Sequence, residues 1–594
     1  MSPGADTLIQ DAADRRNLPA LFAALPLLKE LDAEAIGALA HEIEWFSLPG
    51  GATLYGAGQV ADGLYVVING AFGIYAASAR GGSRYIGQLS AGQIAGETEV
   101  MSGTPRSTTL VALRDSEVAR LPTATFEKLV TQHPQTLRYV AKELAGRVDA
   151  LHQPPLRADA GPKTFAIVPL DSSPDATRFG SQLAACLGRF GRSQLVLSTQ
   201  AVERTTHWFH RLERANQFVV YVTDSQSTNW SRLCIRQADM VLLVAQADSE
   251  PRPWWGLEGT SDRTADIRTA EVILLHGRAR RTCLARSWLL VQRCRRIHHV
   301  QNTDDIARAA RLLTGRGVGL VLSGGGARGF AHIGVMRALR EARIAVDSIG
   351  TTSIGAVIGA GWAAGWDHQQ MLERMRRSFV QSNPLNDYTL PLMSLVAGRK
   401  VCRLLRREFG ELDIEDLHLP YFCVSANLTN GQLTVHRGGR LWFWLRAAVS
   451  IPGILPPVFT QEQAYVDGAT LNNLPVDIMR EQHRGRIIAV DVGGSHGFVS
   501  NLEMTEMPGL WRIWRLLGRG RPHVNIMQIL LRTGMLNSAA ASIEQRELAD
   551  VVLRPPLERI DLLDWRAFDR AIDIGYRDAV QALEHHAARL MLTT

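Results

Sequence analysis

The stretch Val321-Leu-Ser-Gly-Gly-Gly-Ala-Arg-Gly-Phe330 decides the fold of the C-terminal half of the chain. Its apolar start, Val318–Ser323, predicts a strand that runs into Gly324, Gly325 and Gly326 and then into a helix. Glycines allow a sharp turn and let a ligand approach the backbone amides, and a helix N-terminus adds aligned N–H donors. Such a loop can stabilise an oxyanion, hold a phosphate or form a tight turn, and the glycines alone do not decide between these.

A candidate nucleophile follows in the segment Asp347-Ser-Ile-Gly-Thr-Thr-Ser353-Ile-Gly355. A short predicted strand ends, Ser353 lies at the turn, and a helix of small residues begins. This order is typical of a nucleophile elbow, in which the turn lifts the serine hydroxyl above the sheet edge. A serine that only caps the helix would give the same pattern.

The third motif is Ala464-Tyr-Val-Asp467-Gly-Ala469, a carboxylate at a predicted strand end. Asp467 could form an ordinary turn, or it could accept the proton of a serine as a general base. The three motifs occurring in this order favour acyl-transfer chemistry over three unrelated turns.

Together these motifs resemble the patatin-like phospholipases, which use a Ser–Asp dyad without histidine. The resemblance implies Ser353 as nucleophile, Asp467 as base and Gly355 in the elbow. It also implies an oxyanion loop of Gly324, Gly325, Gly326 and Gly329 with Arg328 beside it, and no metal or required cofactor. The neuropathy target esterase branch is resembled in particular, in the stretches Trp230–Asp239, Gly324–Val335, Leu419–Phe422, Arg446–Val458 and Asn472–Pro475. That branch hydrolyses lysophospholipids, so a phospholipid or lysophospholipid is the expected substrate.

The elbow departs from the family pattern GxSxG at one position. Thr351 stands two residues before Ser353, and Gly350 comes one residue too early. A β-branched side chain adds bulk and stiffens the backbone beside the nucleophile. We therefore expect an active site that is slower or narrower in substrate. Two alternatives stay open: a Ser-Asp-His triad that uses His483 or His496, and a catalytically inactive scaffold controlled by a nucleotide.

A second site is indicated near the N-terminus, where Gly96-Glu97 is followed by Arg106-Ser107. This spacing is similar to the phosphate cassette of cyclic-nucleotide-binding domains, including catabolite activator protein. The resemblance implies that Arg106 and Ser107 bind the cyclic phosphate, that Glu97 binds the ribose and that Gly96 permits close approach. The candidate effector is cAMP or cGMP. Thr98 and Glu99 replace the usual small or apolar residues, and a β-roll that has lost its ligand is the alternative.

Three blocks of sequence predict a multidomain α/β protein. Residues 21–151 predict an N-terminal β-roll plus helices, and residues 163–303 predict a middle α/β domain without a phosphate-binding glycine motif. Residues 314–594 predict a patatin-like α/β catalytic domain, with its core at 318–492 and a helical tail. A Pro-rich linker follows the first block where a transcription factor would carry a helix-turn-helix, so we expect no nucleic-acid partner.

Composition narrows the setting of this protein. The chain has 594 residues, a formal net charge of +7 and six cysteines without metal-site spacing, which suits a reducing compartment. No apolar run is long enough to predict a transmembrane helix, and the first residues lack a signal-peptide pattern. We expect a cytoplasmic protein with at most peripheral membrane contact. Trp511 and Trp514, among arginines, are candidates for that contact, although core packing is the favoured interpretation of both.

Overall fold

The computed structural model describes residues 42–77, 83–90, 92–134, 141, 162–171, 175–200, 206–257, 270–277, 284–294, 296–482, 485–493 and 541–590. Two compact units divide the chain: Met1–Leu275 with Leu289–Arg296, and His276–Trp288 with Ile297–Thr594. His483, His496, Trp511 and Trp514 lie outside the described residues.

The first part of unit 1 is a β-roll built from two antiparallel sheets, with strand orders β1-β8-β3-β6 and β2-β7-β4-β5. Alternating apolar residues from both sheets, such as Tyr65, Val67 and Phe72, fill the core between them. The elements are β1 Glu44–Leu48, β2 Thr53–Tyr55, β3 Gly63–Asn69, β4 Ala71–Ala77, β5 Ser83–Ser90, β6 Ile94–Ala95, α1 Glu97–Ser102, β7 Thr109–Ala112, β8 Ser116–Pro122 and α2 Thr123–Gln132.

The second part of unit 1 is an α/β domain around a parallel sheet. Its strands are almost wholly apolar, because helices cover a parallel sheet on both faces. The elements are β9 Thr164–Pro169, α3 Asp175–Leu187, β10 Ser193–Val196, α4 Thr206–Ala215, β11 Phe218–Val222, α5 Asn229–Gln237, β12 Met240–Gln246 and β13 Ala270–Leu275. In this unit the strands lie in the order β10-β11-β9-β12-β13.

The remaining elements lead into and form an eight-stranded sheet, in which the strands lie in the order β19-β20-β17-β16-β15-β21-β22, with β18 also paired to β17. The elements are α6 Ala285–Gln292, β14 Ile297–Val300, α7 Thr303–Leu313, β15 Val318–Leu322, α8 Ala331–Glu341, β16 Ser348–Thr351, α9 Ile354–Ala363, α10 His368–Met375, α11 Arg399–Phe409, β17 Tyr421–Asn427, β18 Gln432–His436, α12 Leu441–Ala448, β19 Val458–Thr460, β20 Gln463–Asp467, α13 Val476–Gln482, β21 Arg486–Val490, β22 Val551–Leu553 and α14 Phe568–Leu590.

Strand register explains why distant residues meet at one end of this sheet. The strands β15, β16 and β17 are parallel neighbours, so the loops that follow β15 and β16 leave from the same edge. Thr351 pairs with Cys423, and two residues further along β17, Ser425 pairs with Asp467 of the antiparallel strand β20. Asp467 therefore lies level with Ser353, which is two residues beyond Thr351.

The predicted fold class is confirmed: a β-roll, a middle α/β domain, and a C-terminal α/β domain that ends in a helix. Among the residues that the structure describes, no helix combines the length and apolar character needed to cross a bilayer.

Candidate functional site

Ser353 lies in a strained turn between β16 and α9. Its φ of 53° and ψ of −127° put a non-glycine residue in a region that L-amino acids rarely adopt. Gly355 makes the turn possible, because a Cβ there would lie 2.7 Å from the carbonyl oxygens of Leu322 and Ser323. The helix start is thus pressed against the end of β15. This geometry is that of a nucleophile elbow and not of a serine cap, since the Ser353 side chain makes no capping hydrogen bond.

The Ser353 hydroxyl is hydrogen-bonded directly to a buried carboxylate. Its Oγ donates to Asp467 Oδ2 at 2.6 Å, and the amide of Ala469 donates to Asp467 Oδ1 at 2.9 Å. Burial raises the pKa of the Asp467 carboxyl to about 7, although both hydrogen bonds act to lower it. A carboxylate with this pKa can take a proton from a hydroxyl near neutral pH and return it.

The glycine loop lies beside Ser353 and is held by an asparagine. The Gly324 amide donates to Asn473 Oδ1 at 3.1 Å, and Asn473 Nδ2 donates back to the Gly324 carbonyl at 3.3 Å. A Cβ on Gly324 would lie 2.8 Å from the Ser353 Cβ, so the loop packs directly against Ser353. Within the described residues, the amides of Gly325 and Gly326 have no hydrogen-bond acceptor. These two are the free donors of the predicted oxyanion loop.

The other members of the predicted loop set hold its shape. A Cβ on Gly329 would lie 2.3 Å from Ile354, so Gly329 lets the loop pack against the start of α9. Arg328 turns away from the nucleophile, and its Nε donates to the Ile560 carbonyl at 2.7 Å. Gly326 has a φ of +54°, and a Cβ there would lie 2.1 Å from the Leu562 carbonyl oxygen. The Ala327 amide donates to that same oxygen at 2.8 Å.

Thr351 fits its site without crowding the nucleophile. Its side chain is fully buried, and its hydroxyl donates to the Phe422 carbonyl at 2.9 Å and lies 3.0 Å from the Tyr421 hydroxyl. The space that its methyl group needs is left by Gly359, where a Cβ would lie 2.6 Å from Thr351 Cγ2. Thr351 was expected to add bulk beside Ser353. In the structure, the absence of a side chain at Gly359 leaves the space that Thr351 occupies.

Two buried histidines lie near the site without joining the Ser353–Asp467 pair. His332 Nε2 donates to the Ser323 carbonyl at 2.9 Å, and burial lowers the pKa of its ring to about 4. His436 Nε2 lies 2.6 Å from Ser425 Oγ, and burial lowers its pKa to about 3. No histidine of the described ranges is hydrogen-bonded to Ser353 or Asp467.

In the phosphate cassette, Arg106 is buried and already neutralised. Its guanidinium donates to Asp62 Oδ1 at 2.8 Å and to the Gly63 carbonyl at 2.6 Å, and it lies 4.3 Å from the Tyr55 ring centre. Gly96, with a φ of +78°, makes room for it, because a Cβ there would lie 2.0 Å from Arg106 Nη1. Gly96 was predicted to let a ligand approach closely. In the structure, the group that lies close to Gly96 is the guanidinium of Arg106.

The second predicted phosphate ligand, Ser107, is bound to a carboxylate. Its hydroxyl and its amide both donate to Glu99 Oε1, at 2.5 Å and 3.2 Å. Burial by itself would raise the pKa of Glu99, but these hydrogen bonds and the charge of Arg106 hold that pKa below its ordinary value. Glu99 is therefore an anion enclosed by the groups that were predicted to hold the phosphate. Glu97, the predicted ribose ligand, is buried at the first residue of α1.

Sequence reasoning missed three residues that complete these sites. Asn473 belongs to the Asn472–Pro475 stretch already noted, but only the structure gives it a partner in Gly324. Glu99 departs from the usual cassette sequence, and its negative charge could have indicated that it binds the same donors as a phosphate. Asp62 pairs with Arg106 across 44 positions of sequence and left no recognisable signal.

Comparisons with known proteins match each block of the chain. Family models match residues 45–133 (cyclic nucleotide-binding domain), 162–314 (neuropathy target esterase family P-loop like domain) and 320–480 (patatin-like phospholipase). Human patatin-like phospholipase domain-containing protein 6 is 30% identical over 610 residues, which cover 90% of this chain and 44% of that protein. Lysophospholipase NTE1 of Candida albicans is 28% identical over 665 residues, covering 94% of this chain and 48% of that protein. The chain thus spans about half the length of these two relatives.

A bacterial relative matches the chain over nearly its whole length. This NTE family protein of Mycobacterium tuberculosis is 30% identical over 581 residues, which cover 94% of this chain and 95% of that protein. The same order of domains occurs in both the sequence motifs and the family matches, and the resemblance stated from the motifs is confirmed. The chain belongs to the neuropathy target esterase (NTE) family and carries a cyclic nucleotide-binding domain ahead of its patatin-like domain.

Proposed function

We propose that this protein is a serine esterase that hydrolyses fatty-acyl esters of phospholipids or lysophospholipids through Ser353 and Asp467. One observation carries the proposal: Ser353 Oγ donates to Asp467 Oδ2 at 2.6 Å, beside a loop with two unoccupied amide donors. A hydroxyl, a base of suitable pKa and oxyanion donors are the parts that acyl transfer requires.

In the acylation step, Ser353 Oγ attacks the ester carbonyl carbon while its proton passes to Asp467 Oδ2. The negative charge that develops on the carbonyl oxygen is stabilised by the amides of Gly325 and Gly326, an effect worth ~3–4 kcal/mol per donor in favourable cases. The tetrahedral intermediate then collapses. The alcohol of the lipid leaves with the proton from Asp467, and the fatty-acyl group remains as an ester of Ser353.

Deacylation repeats these steps with water. Asp467 takes a proton from the water as its oxygen attacks the acyl carbon, and the same two amides stabilise the second oxyanion. Collapse releases the fatty acid, and the proton returns from Asp467 to Ser353 Oγ. One ester and one water are consumed, and one alcohol and one fatty acid are formed.

The substrate class follows from the family. The matched relatives are named a patatin-like phospholipase domain-containing protein and a lysophospholipase. The direct serine–carboxylate contact also favours the dyad over a Ser-Asp-His triad, because a triad places its histidine between the hydroxyl and the acid. Replacing His483 and His496 in turn by alanine should therefore leave hydrolysis intact.

The test is release of fatty acid from lysophosphatidylcholine and from diacyl phosphatidylcholine by the full chain, with the Ser353→Ala variant as control. A fluorescent organophosphonate should label the wild-type protein at Ser353, identified by peptide mass spectrometry. Labelling of a different serine, or full hydrolysis by Ser353→Ala, would overturn the assignment. A well-folded wild-type protein without any hydrolysis would favour the scaffold alternative.

We also propose that cAMP or cGMP is an effector that binds the β-roll. The family match at residues 45–133 and the pair Gly96–Arg106 support this. The phosphate would have to displace the Glu99 carboxylate from Ser107 and draw Arg106 from Asp62. Calorimetric titration of both nucleotides into the full chain tests binding, and Arg106→Ala should abolish it. Because coupling between sites is reciprocal, a lipid analogue in the active site should change nucleotide affinity by the same factor by which the nucleotide changes lipid affinity.

A further inference from the structure

An exposed apolar loop projects from the catalytic unit between α10 and α11. We call residues 388–393, Tyr-Thr-Leu-Pro-Leu-Met, the apolar loop. Four of its six side chains are large, apolar and mostly in solvent: Tyr388 is 70% exposed, Leu390 73%, Leu392 84% and Met393 69%. Single exposed apolar residues are ordinary on a protein surface, but a contiguous group of this kind marks an interaction site.

The base of the apolar loop is fixed to the domain. Tyr388 forms an antiparallel bridge with Val396, the Thr389 amide donates to the Leu395 carbonyl, and the Ala397 amide donates to the Asp387 carbonyl. Val396 is fully buried in the main core. The protein therefore holds these apolar side chains outward on a hydrogen-bonded hairpin.

Basic residues stand directly behind the apolar loop, at the start of α11. The Lys400 amide donates to Asp387 Oδ2, which ties the helix N-terminus to the base of the loop. Arg399 and Arg403 are exposed, lie one turn apart on the same helix face, and have no acidic partner in the part of the chain that the structure describes. Residues 386–407 hold five basic side chains and one acidic side chain. Apolar tips backed by cations match the two layers of an anionic lipid surface, its acyl chains and its phosphates.

The same hairpin is connected to the Ser353–Asp467 pair. The amides of Leu395 and Val396 donate to the carbonyls of Gly453 and Ile454. A few residues earlier in that segment, the Ser450 carbonyl accepts the Asp467 amide at 2.9 Å. A surface that binds the apolar loop is therefore brought to the part of the domain that carries the catalytic acid.

We propose that the apolar loop, with Arg399 and Arg403 behind it, is the surface by which this protein docks on an anionic phospholipid bilayer. The inference rests on the proposed esterase function for its purpose, because an enzyme that acts on lipid esters must reach them at the bilayer. Docking itself does not require catalysis and can be measured without it.

The first experiment measures docking in a protein that cannot hydrolyse lipid. The full chain with Ser353→Ala is sedimented with vesicles of phosphatidylcholine mixed with phosphatidylglycerol. Adding Leu392→Asp and Met393→Asp should weaken binding by about tenfold or more, because two apolar side chains no longer enter the bilayer. Val60→Asp is the matched control, since Val60 is also 84% exposed but lies on the β-roll. It should leave binding unchanged.

Charge is tested in the same assay. Arg399→Ala with Arg403→Ala should weaken binding and flatten its decline with added salt, because exposed charges are screened beyond ~8–10 Å. Equal binding by the wild-type and loop variants would overturn the proposal. A second outcome would also overturn it. If the wild-type protein is a dimer without lipid, and the loop variant is a monomer that binds vesicles as well as the wild type does, then the partner of the apolar loop is a second copy of the chain.

The second experiment separates docking from chemistry in the active protein. Leu392→Asp with Met393→Asp should lower hydrolysis of vesicle-embedded lipid by about tenfold or more while leaving hydrolysis of a soluble short-chain ester unchanged. Loss of both activities would show that the loop acts on the site and not on docking, and would overturn the proposal. Normal docking by a wild-type protein that hydrolyses neither substrate would refute the esterase function and leave the docking surface standing.

Discussion

Two regions of this molecule contain the same pair of groups, a serine hydroxyl hydrogen-bonded to a buried carboxylate. In the patatin-like domain, Ser353 donates to Asp467 at 2.6 Å, and in the β-roll, Ser107 donates to Glu99 at 2.5 Å. The pKa values of the two carboxyl groups are nevertheless shifted in opposite directions. Burial raises the pKa of Asp467 to about 7, whereas the pKa of Glu99 lies below its ordinary value despite burial.

The neighbours of each carboxylate explain the difference. Asp467 receives one amide hydrogen bond besides that of Ser353, and among the described residues no cation acts on its pKa. Glu99 accepts hydrogen bonds from the hydroxyl and the amide of Ser107, and the positive charge of Arg106 lowers its pKa further. A carboxylate that is stabilised as an anion is a weaker base near pH 7 than one whose anion is destabilised by burial. A serine hydrogen-bonded to a buried carboxylate is therefore not enough to indicate a catalytic pair. The groups around the carboxylate determine whether its pKa suits a base.

The largest expected contrast comes from removing each serine. Ser353→Ala should lower kcat for ester hydrolysis by at least about 10³-fold, because it removes the nucleophile. Ser107→Ala should leave hydrolysis of a soluble short-chain ester unchanged, since Ser107 lies in the β-roll and takes no part in the Ser353–Asp467 pair. Steady-state kinetics of both purified variants, with circular dichroism to confirm folding, measure this. A comparable loss of activity in Ser107→Ala would break the comparison.

The pH dependence should report Asp467. Proton acceptance needs the ionised carboxylate, so kcat/KM for a soluble ester should be level above pH 7 and fall as pH decreases through about 7. Two units lower, the loss should be about 100-fold, since the ionised fraction falls tenfold per unit. Glu99→Gln should leave this profile in place. A profile that stays level down to about pH 5 would mean that Asp467 is not the base with a raised pKa.

Removing the Glu99 carboxylate should open the phosphate position. Glu99→Gln and Glu99→Ala should raise the affinity for cAMP or cGMP by about ten- to a hundredfold, because a competing charge-assisted hydrogen bond of ~1.5–3 kcal/mol is lost. Isothermal titration of the full chain measures this. Adding Arg106→Ala to either variant should cancel the gain. Identical affinities in the wild type and Glu99→Ala would show that Glu99 does not compete with the nucleotide.

The smallest effect concerns Thr351. Thr351→Gly should lower turnover several-fold and the free energy of unfolding by ~1–3 kcal/mol, because it leaves a cavity beside Gly359 and removes the hydrogen bond to the Phe422 carbonyl. Thr351→Ser keeps the hydroxyl and Thr351→Val keeps the volume, so thermal melts of the two apportion the loss. Faster turnover in Thr351→Gly on every substrate would restore the crowding hypothesis.

Local sequence predicted the parts of the candidate site whose backbone depends on neighbouring residues alone. An apolar strand followed by glycines, and a serine between a strand and a helix of small residues, specify their own backbone, so the loop and the elbow could be predicted. Asp467 could be proposed because it ends a strand beside glycine. Its position level with Ser353 depends on the register of β16, β17 and β20, which no local pattern encodes.

What the sequence left open depends on side chains that meet across long separations. Arg106 was predicted to bind a cyclic phosphate, and that stays a prediction, but the sequence did not indicate that its buried guanidinium also has a nearby anion in Asp62. Thr351 was expected to add bulk, and Gly359 on the facing helix leaves it room. The sequence also could not tell which glycines of the loop have free amides and which ones pack. That distinction depends on Asn473, which binds Gly324, and on Leu562, against which Gly326 packs.

The contact between the glycine loop and the segment Ile560–Leu562 has a consequence for biosynthesis. The loop rests on the backbone of Ile560 and Leu562, far beyond the last residue of the patatin-like match at 480. A ribosome therefore exposes Ser353 and Asp467 well before it makes the segment against which the two amide donors are set. The nascent chain therefore holds the proposed nucleophile and base before its glycine loop has this support, and the proposed esterase site is complete only after residues 560–562 have been made.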